Sequence, residues 1–220
     1  MIRVIPAPPP SNFDTRVRQR GLDAIAELAG DKPSRPRRGP KRKQVASRRE
    51  DIPPEAFPPF WREVLPEMLA SYHRLCAYLA LYIEQATGSP TVDHVIPKSK
   101  AWDRVYEWSN YRLACALVNS RKGDVDTVLD PFEVEDDWFE LEFVDCQVKP
   151  RPGLSVEIAE KVQDTIDKLG LSEPECCAAR REYVEAYLGQ QPIPFSYVER
   201  RAPFVARELR RQKMLREGES

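Results

Sequence analysis

Residues 91–124 read TVDHVIPKSKAWDRVYEWSNYRLACALVNSRKGD, and few folds accommodate what they bring together. Asp93 and His94 are adjacent, Pro97 comes soon after, Asn110 sits in WSNYRL, and Asn119 and Lys122 form an Asn-x-x-Lys on what reads as a helix. Neighbouring side chains on a strand point to opposite faces, so Asp93 and His94 can share a site only where a strand ends or bends. Pro97 supplies that end. The residue types are those that metal-assisted phosphodiester hydrolysis needs. An imidazole has the unperturbed pKa suited to deprotonating water near neutral pH. The Asp93 carboxylate and the Asn119 carboxamide oxygen are ligands for a hard cation, Mg²⁺ or Mn²⁺, which neutralises charge on a phosphate and on a departing oxygen.

On these residues the segment resembles the HNH (ββα-metal) nuclease motif, a short hairpin, an Ω-like loop and a helix around one metal. The resemblance covers roughly a sixth of the chain, with a weaker extension back to Cys76. It implies that Asp93 and Asn119 are metal ligands and His94 the general base. Asn110 would match the middle Asn of the motif, which pins the loop by backbone hydrogen bonds and so orients the histidine. Lys122 matches a basic position that commonly faces phosphate, and Lys98 and Arg121 join it as expected nucleic-acid contacts. The third signature residue is Asn rather than His, a variant the family tolerates. The resemblance further implies a 5′-phosphate product, with the leaving 3′ oxygen stabilised by the metal.

There is one departure from the family pattern. Many HNH proteins brace the motif with zinc held by two Cys-x-x-Cys pairs, but the corresponding places here read Cys76-Ala-Tyr-Leu79 and Cys115-Ala-Leu-Val118. Each has one cysteine, and a tetrahedral zinc site needs four ligands. The expectation is no structural zinc, with Leu79 and Val118 serving as apolar packing.

The chain has 220 residues, of which 41% are hydrophobic and 31% charged, so it can bury a core while leaving much of itself solvated. A net charge of −1 conceals local asymmetry. Between residues 32 and 49 lie nine Lys or Arg (32, 35, 37, 38, 41, 42, 43, 48 and 49) and no acid, whereas 130–142 holds seven acids. Near neutrality overall therefore does not exclude a nucleic-acid partner. Cysteines 76, 115, 146, 176 and 177 suggest no disulfide framework. The N-terminus has no long apolar signal region, and the longest apolar run, residues 75–83, falls far short of the ~20 residues that span a bilayer. A cytoplasmic location without membrane association is expected.

Along the chain, four prolines in residues 1–10 predict an extended arm, succeeded by a short helix over 22–29 that ends at Gly30. Arg16, Arg18 and Arg20 alternate, as they would along one side of an extended backbone. The basic, proline-rich stretch 31–51 reads as flexible, either a plain linker or a phosphate-tracking arm. An apolar stripe from Phe57 through Leu79 predicts two helices divided near Pro66. Residues 138–148 alternate as a strand. Helices are expected over 155–169, 173–188 and 195–216, the last one strongly basic.

These readings combine into an α+β chain, a ββα-metal HNH core embedded in a mainly helical domain with a short additional strand region. The chain divides into three stretches: 1–52, an arm, short helix and basic segment; 53–150, the nuclease core; 151–220, a helical extension. The expected activity is divalent-metal-dependent endonucleolytic hydrolysis of nucleic acid, DNA rather than RNA. The competing reading is a catalytically silent HNH-like module that binds nucleic acid or acts as a scaffold, suggested by the missing zinc pairs. A weaker resemblance, to compact HNH subunits of bacterial anti-phage systems, implies an ATPase or other regulatory protein partner.

Overall fold

The computed structural model describes residues 1–35 and 39–219, so Arg37 and Arg38 of the basic stretch lie outside the described residues. The chain is of mixed α+β class, with helices and two small two-stranded sheets. It forms two compact units, a larger one from Met1–Pro6, His73–Pro90 and Ala114–Ser220, and a smaller one from Ala7–Tyr72 and Thr91–Leu113. Both are built from non-contiguous stretches, so they cut across the three sequential segments read from the sequence.

In the smaller unit, a π-helical turn over Asp14–Arg18 runs into α1, Gln19–Ala29. The helix thus begins earlier than the apolar pattern predicts. It stops where Gly30 adopts the left-handed conformation (φ 83°) and its N–H reaches the Ala26 and Glu27 carbonyls. Arg16, Arg18 and Arg20 lie on this helical stretch, not on an extended strand, and each finds a carboxylate there. Arg16 pairs with Glu67 (2.5 Å), Arg18 with Glu107 (2.8 Å) and Arg20 with Glu63 (2.8 Å). Gly21 abuts the Tyr106 ring, which lies 2.1 Å from where a Cβ would stand. Only a glycine lets the helix approach that closely.

From Arg42 to Arg49 the basic stretch is docked beside α1 rather than loose. The N–H groups of Val45 and Ala46 both reach the Leu28 carbonyl, Arg42 pairs with buried Glu27 (2.8 Å), and Arg49 pairs with Asp31 (2.9 Å). Prolines at 53, 54, 58 and 59 restrict the next residues to 3₁₀ turns, Pro54–Ala56 and Phe60–Val64, before α2, Leu65–Ser71. Pro66 occupies the first turn of α2, where a missing N–H costs nothing. The predicted helical stripe does not reach Leu79, since His73 and Arg74 take positive φ and end it. Strand β1, Pro90–His94, pairs with β2, Tyr111–Cys115.

In the larger unit, residues 73–90 fold back on themselves through Cys76 N–H to Leu81 O (2.9 Å), Ala80 N–H to Cys76 O (2.8 Å) and Ile83 N–H to Arg74 O (2.7 Å). Helix α3, Ala116–Lys122, continues directly from β2 and ends at Gly123 (φ 48°). The stretch 138–148 is not one strand but a hairpin, β3 (Phe139–Leu141) antiparallel to β4 (Val148–Pro150). Its turn forms because the Glu142 carboxylate accepts the N–H groups of Val144 and Asp145 while Cys146 takes a positive φ. α4 (Val156–Leu169) starts at Ser155, whose Oγ accepts the Ile158 N–H, and stops at left-handed Gly170; α5 is Pro174–Leu188. Both agree with the sequence reading.

The last predicted helix is two, α6 (Phe195–Arg201) and α7 (Pro203–Arg211). Pro203 forces the preceding Ala202 out of the helical region. Much of their positive charge is answered by acids of 130–142 and of the helices themselves: Arg207 pairs with Asp136, Arg211 with Glu140 and Arg210 with Glu199. Fully buried Glu208 accepts the Leu141 N–H, and Gln212 donates to the Leu141 carbonyl, so α7 covers the outer edge of β3. No helix among the described residues is long and apolar enough to cross a membrane.

Candidate active site

The smaller unit holds Asp93, His94 and Asn110, all buried. Asp93 and His94 are the last two residues of β1, and the chain leaves the strand immediately after them. Val95 N–H still reaches the Asn110 carbonyl (3.0 Å), then the backbone turns away over residues 96–109. The sequence requirement that a strand end lie beside this pair is met there. Pro97 accepts at its carbonyl the N–H groups of Lys100 and Ala101, which closes the first turn of the loop.

Asn110 fastens both ends of that loop. Its Oδ1 accepts the Ile96 N–H (2.8 Å), and its Nδ2 donates to the carbonyls of Ile96 (3.0 Å) and Arg104 (3.0 Å). A buried carboxamide with its acceptor and both donor hydrogens engaged is strongly specified, because leaving any of these backbone groups unpaired costs about 1–3 kcal/mol. The loop it closes delivers the Val105 carbonyl to His94.

His94 Nε2 lies 3.0 Å from Val105 O. A carbonyl can only accept, so Nε2 carries the proton and, in the neutral ring, Nδ1 is the basic nitrogen. The Tyr111 hydroxyl donates to the same carbonyl (2.9 Å), and burial raises its phenol well above the usual range, which keeps it a donor. The imidazole is held edge-on by Trp61 (ring centroids 4.9 Å apart) and Tyr111 (5.2 Å). Lys98 extends over the first of these rings, its Nζ 4.8 Å from the Trp61 centroid, a cation–π placement.

Sequence reasoning missed several of these supports. Trp61 counted only as part of an apolar stripe, and Tyr111 had no assigned role, although its place beside Asn110 is a signal. Arg112 had none either. It is buried, and its guanidinium donates to the carbonyls of Ser109 and Tyr111 (2.8 Å each), bracing the turn that presents Asn110. The Val105 carbonyl leaves no trace in a sequence, because every residue has one.

The remaining residues of the motif belong to the larger unit, on α3. Asn119 is half-buried and its backbone carbonyl accepts the Gly123 N–H (3.1 Å), which ends the helix one turn later. Lys122 is wholly buried, where an ammonium must have compensating partners rather than open solvent. Arg121 is committed within its own unit: its Nη1 donates to the Gly170 carbonyl (3.0 Å) and its Nη2 pairs with Glu175. That engagement, which fastens α3 to the start of α5, is a structural role the sequence reading did not give it. Leu79 and Val118 are buried apolar side chains, as the sequence reading expected.

Taken one by one, two side chains here are donors of the kind a hard divalent cation accepts. Asp93 offers a carboxylate and Asn119 a carboxamide oxygen, both of the type that Mg²⁺ and Mn²⁺ accept, with water and phosphate oxygens able to complete a shell. No protein-family model matches this chain, and no curated protein matches its sequence.

Proposed function

We propose that the protein is an HNH-type endonuclease that hydrolyses phosphodiester bonds in nucleic acid, DNA in preference to RNA, with the help of Mg²⁺ or Mn²⁺. The observation that carries this reading is the fixed histidine. A buried imidazole at a strand end has its Nε2–H spent on a backbone carbonyl, and the loop bearing that carbonyl is tied down by one asparagine. A histidine serving only as core packing has no need of a second residue devoted to its tautomer. A general base does, since a ring free to flip would present the wrong nitrogen.

In this proposal His94 Nδ1 takes the proton from the attacking water, and Asn110, Tyr111 and Trp61 hold the ring in place for it. Asp93 and Asn119 would be the protein ligands of the cation, which when bound supplies charge neutralisation to the phosphate and the leaving oxygen. Lys98 is the proposed phosphate contact in the motif, and wholly buried Lys122 takes that part only if it leaves its present surroundings. Arg121 takes that part only if it gives up Gly170 and Glu175. Exposed Lys32 and Lys41 border one concave surface of about 410 Å³ in the smaller unit, where Arg42 is paired with Glu27 and Asp31 also lines the wall; these two lysines are the proposed phosphate contacts of the basic stretch.

The test is incubation of supercoiled plasmid with the purified protein in Mg²⁺, in Mn²⁺ and in EDTA. The expected outcome is nicked or linear product with either cation and intact plasmid in chelator. A protein that shifts plasmid in a gel equally with and without cation, and never cuts it, would be the silent nucleic-acid-binding module instead.

A further inference from the structure

The larger unit brings together two cysteines that the proposed reaction does not use. Cys76 lies in the tight turn of residues 76–79, and Cys115 is the residue from which α3 departs; their Sγ atoms are 3.9 Å apart. The Cys115 backbone N–H also reaches Cys76 Sγ (3.4 Å), so main chain as well as side chain fixes the approach. All five cysteines are free thiols. We propose that Cys76 and Cys115 are a reversible oxidation site, closing to a disulfide on exposure to a low-molecular-weight disulfide such as oxidised glutathione.

An S–S bond of about 2.05 Å requires the two sulfurs to close by roughly 1.9 Å, a shift within reach of side-chain rotation when the Cys115 backbone is already hydrogen-bonded to its partner's sulfur. Reactivity is divided between the two as exchange chemistry needs. The Cys76 S–H donated to Cys115, with backbone N–H groups of Val118 and Leu117 on the same sulfur, pulls the Cys115 thiol down to about 6 against the opposing effect of burial. Burial pushes Cys76 well up, and its proton is shared toward its partner. Cys115 is also the less enclosed of the two. It is therefore the attacking thiolate, and Cys76 the resolving thiol. Cys146, Cys176 and Cys177 are all raised by burial and stay protonated.

The exchange balances. The Cys115 thiolate attacks one sulfur of the oxidised reagent, an S–S bond breaks, and one reduced thiolate leaves. Cys76, giving its proton to the second departing thiolate, then attacks Cys115 Sγ and expels it. Two protein thiols and one small disulfide become one protein disulfide and two small thiols. The resulting bond joins the 76–79 turn to the start of α3 and encloses residues 77–114 in a covalent loop, which restricts the unfolded chain. This site depends only on the two sulfurs and stands whether or not the nuclease reading does.

The experiment treats the native 220-residue chain with oxidised glutathione in the presence of EDTA, then counts thiols after denaturation and maps peptides without reduction. The expected result is loss of two of the five thiols, a mass lower by two hydrogen atoms, a linked peptide pair carrying Cys76 and Cys115, a higher thermal midpoint, and full reversal by a dithiol. Cys76→Ser should instead hold a stable glutathione adduct on Cys115. Retention of all five thiols, a lasting adduct on Cys115 of the unsubstituted protein, or linkage through Cys146, Cys176 or Cys177 would overturn the proposal.

Discussion

At the scale of single residues, Asn110 and His94 carry different kinds of burden. Asn110 is structural in the strict sense: it holds the Ile96 amide, the Ile96 carbonyl and the Arg104 carbonyl at once. Asn110→Ala strands these groups in a buried setting, and a loss of about 1–3 kcal/mol is expected from each group left unsatisfied, less where water enters. Chemical denaturation should therefore show a lower midpoint for Asn110→Ala, and loosening of the 95–105 loop should lower activity with it. A variant with wild-type stability would mean that the three bonds are not jointly important. The pairing of Asp93 with His94, the middle Asn110 and the spacing to Asn119 are all legible in the sequence, because each is a side-chain identity at a fixed interval. The carbonyl that sets the tautomer is not legible there, nor are the aromatic edges of Trp61 and Tyr111 around the ring, which depend on how distant stretches fold together.

At the scale of elements, the helix ends written in glycine and serine are readable: Ser155 caps α4, Gly170 ends it and Gly30 ends α1. Sequence and structure part where one local signal outweighs another. The 57–79 stripe keeps a helical period past Ser71, yet the chain turns at His73 and folds tightly back on itself, with Leu75 bridged to Tyr82. The 138–148 alternation conceals a turn because its maker is a glutamate, not a glycine or asparagine. Pro203 breaks the last helix within a run of arginines that otherwise reads as continuous. In the smaller unit, α1 packs its Gly21 directly against the Tyr106 ring. Gly21→Ala introduces a methyl onto the body of that ring, not onto a flexible tip, and overpacking of this kind costs typically about 1–3 kcal/mol. A thermal midpoint lowered by several degrees checks this, and an unchanged or raised midpoint would show that α1 and the ring can part freely.

At the scale of the whole molecule, composition describes a charge-rich, near-neutral chain, but not where its charges are spent. The arginines of α7 are matched by Asp136, Glu140 and Glu199, Arg201 of α6 by Glu84, and those of the basic stretch partly by Glu27 and Asp31. The net charge of −1 counts residues, 34 basic against 35 acidic, and is silent on these pairings. The two compact units are not foreseeable from the order of the chain, since each is assembled from separated stretches. Within the motif, Asp93, His94 and Asn110 fall in one unit and Asn119 and Lys122 in the other, so a single cation ligated by Asp93 and Asn119 is a specific demand of the proposed function.

His94→Ala provides the most direct measurement. Its plasmid-cleavage rate should be taken beside that of the unsubstituted protein in saturating Mg²⁺ or Mn²⁺, with circular dichroism to verify that both are folded. Removal of a general base typically lowers the rate about 10²–10⁴-fold, and a loss of that size with the fold retained is the predicted result. Cleavage by the folded variant at the unsubstituted rate would contradict the account.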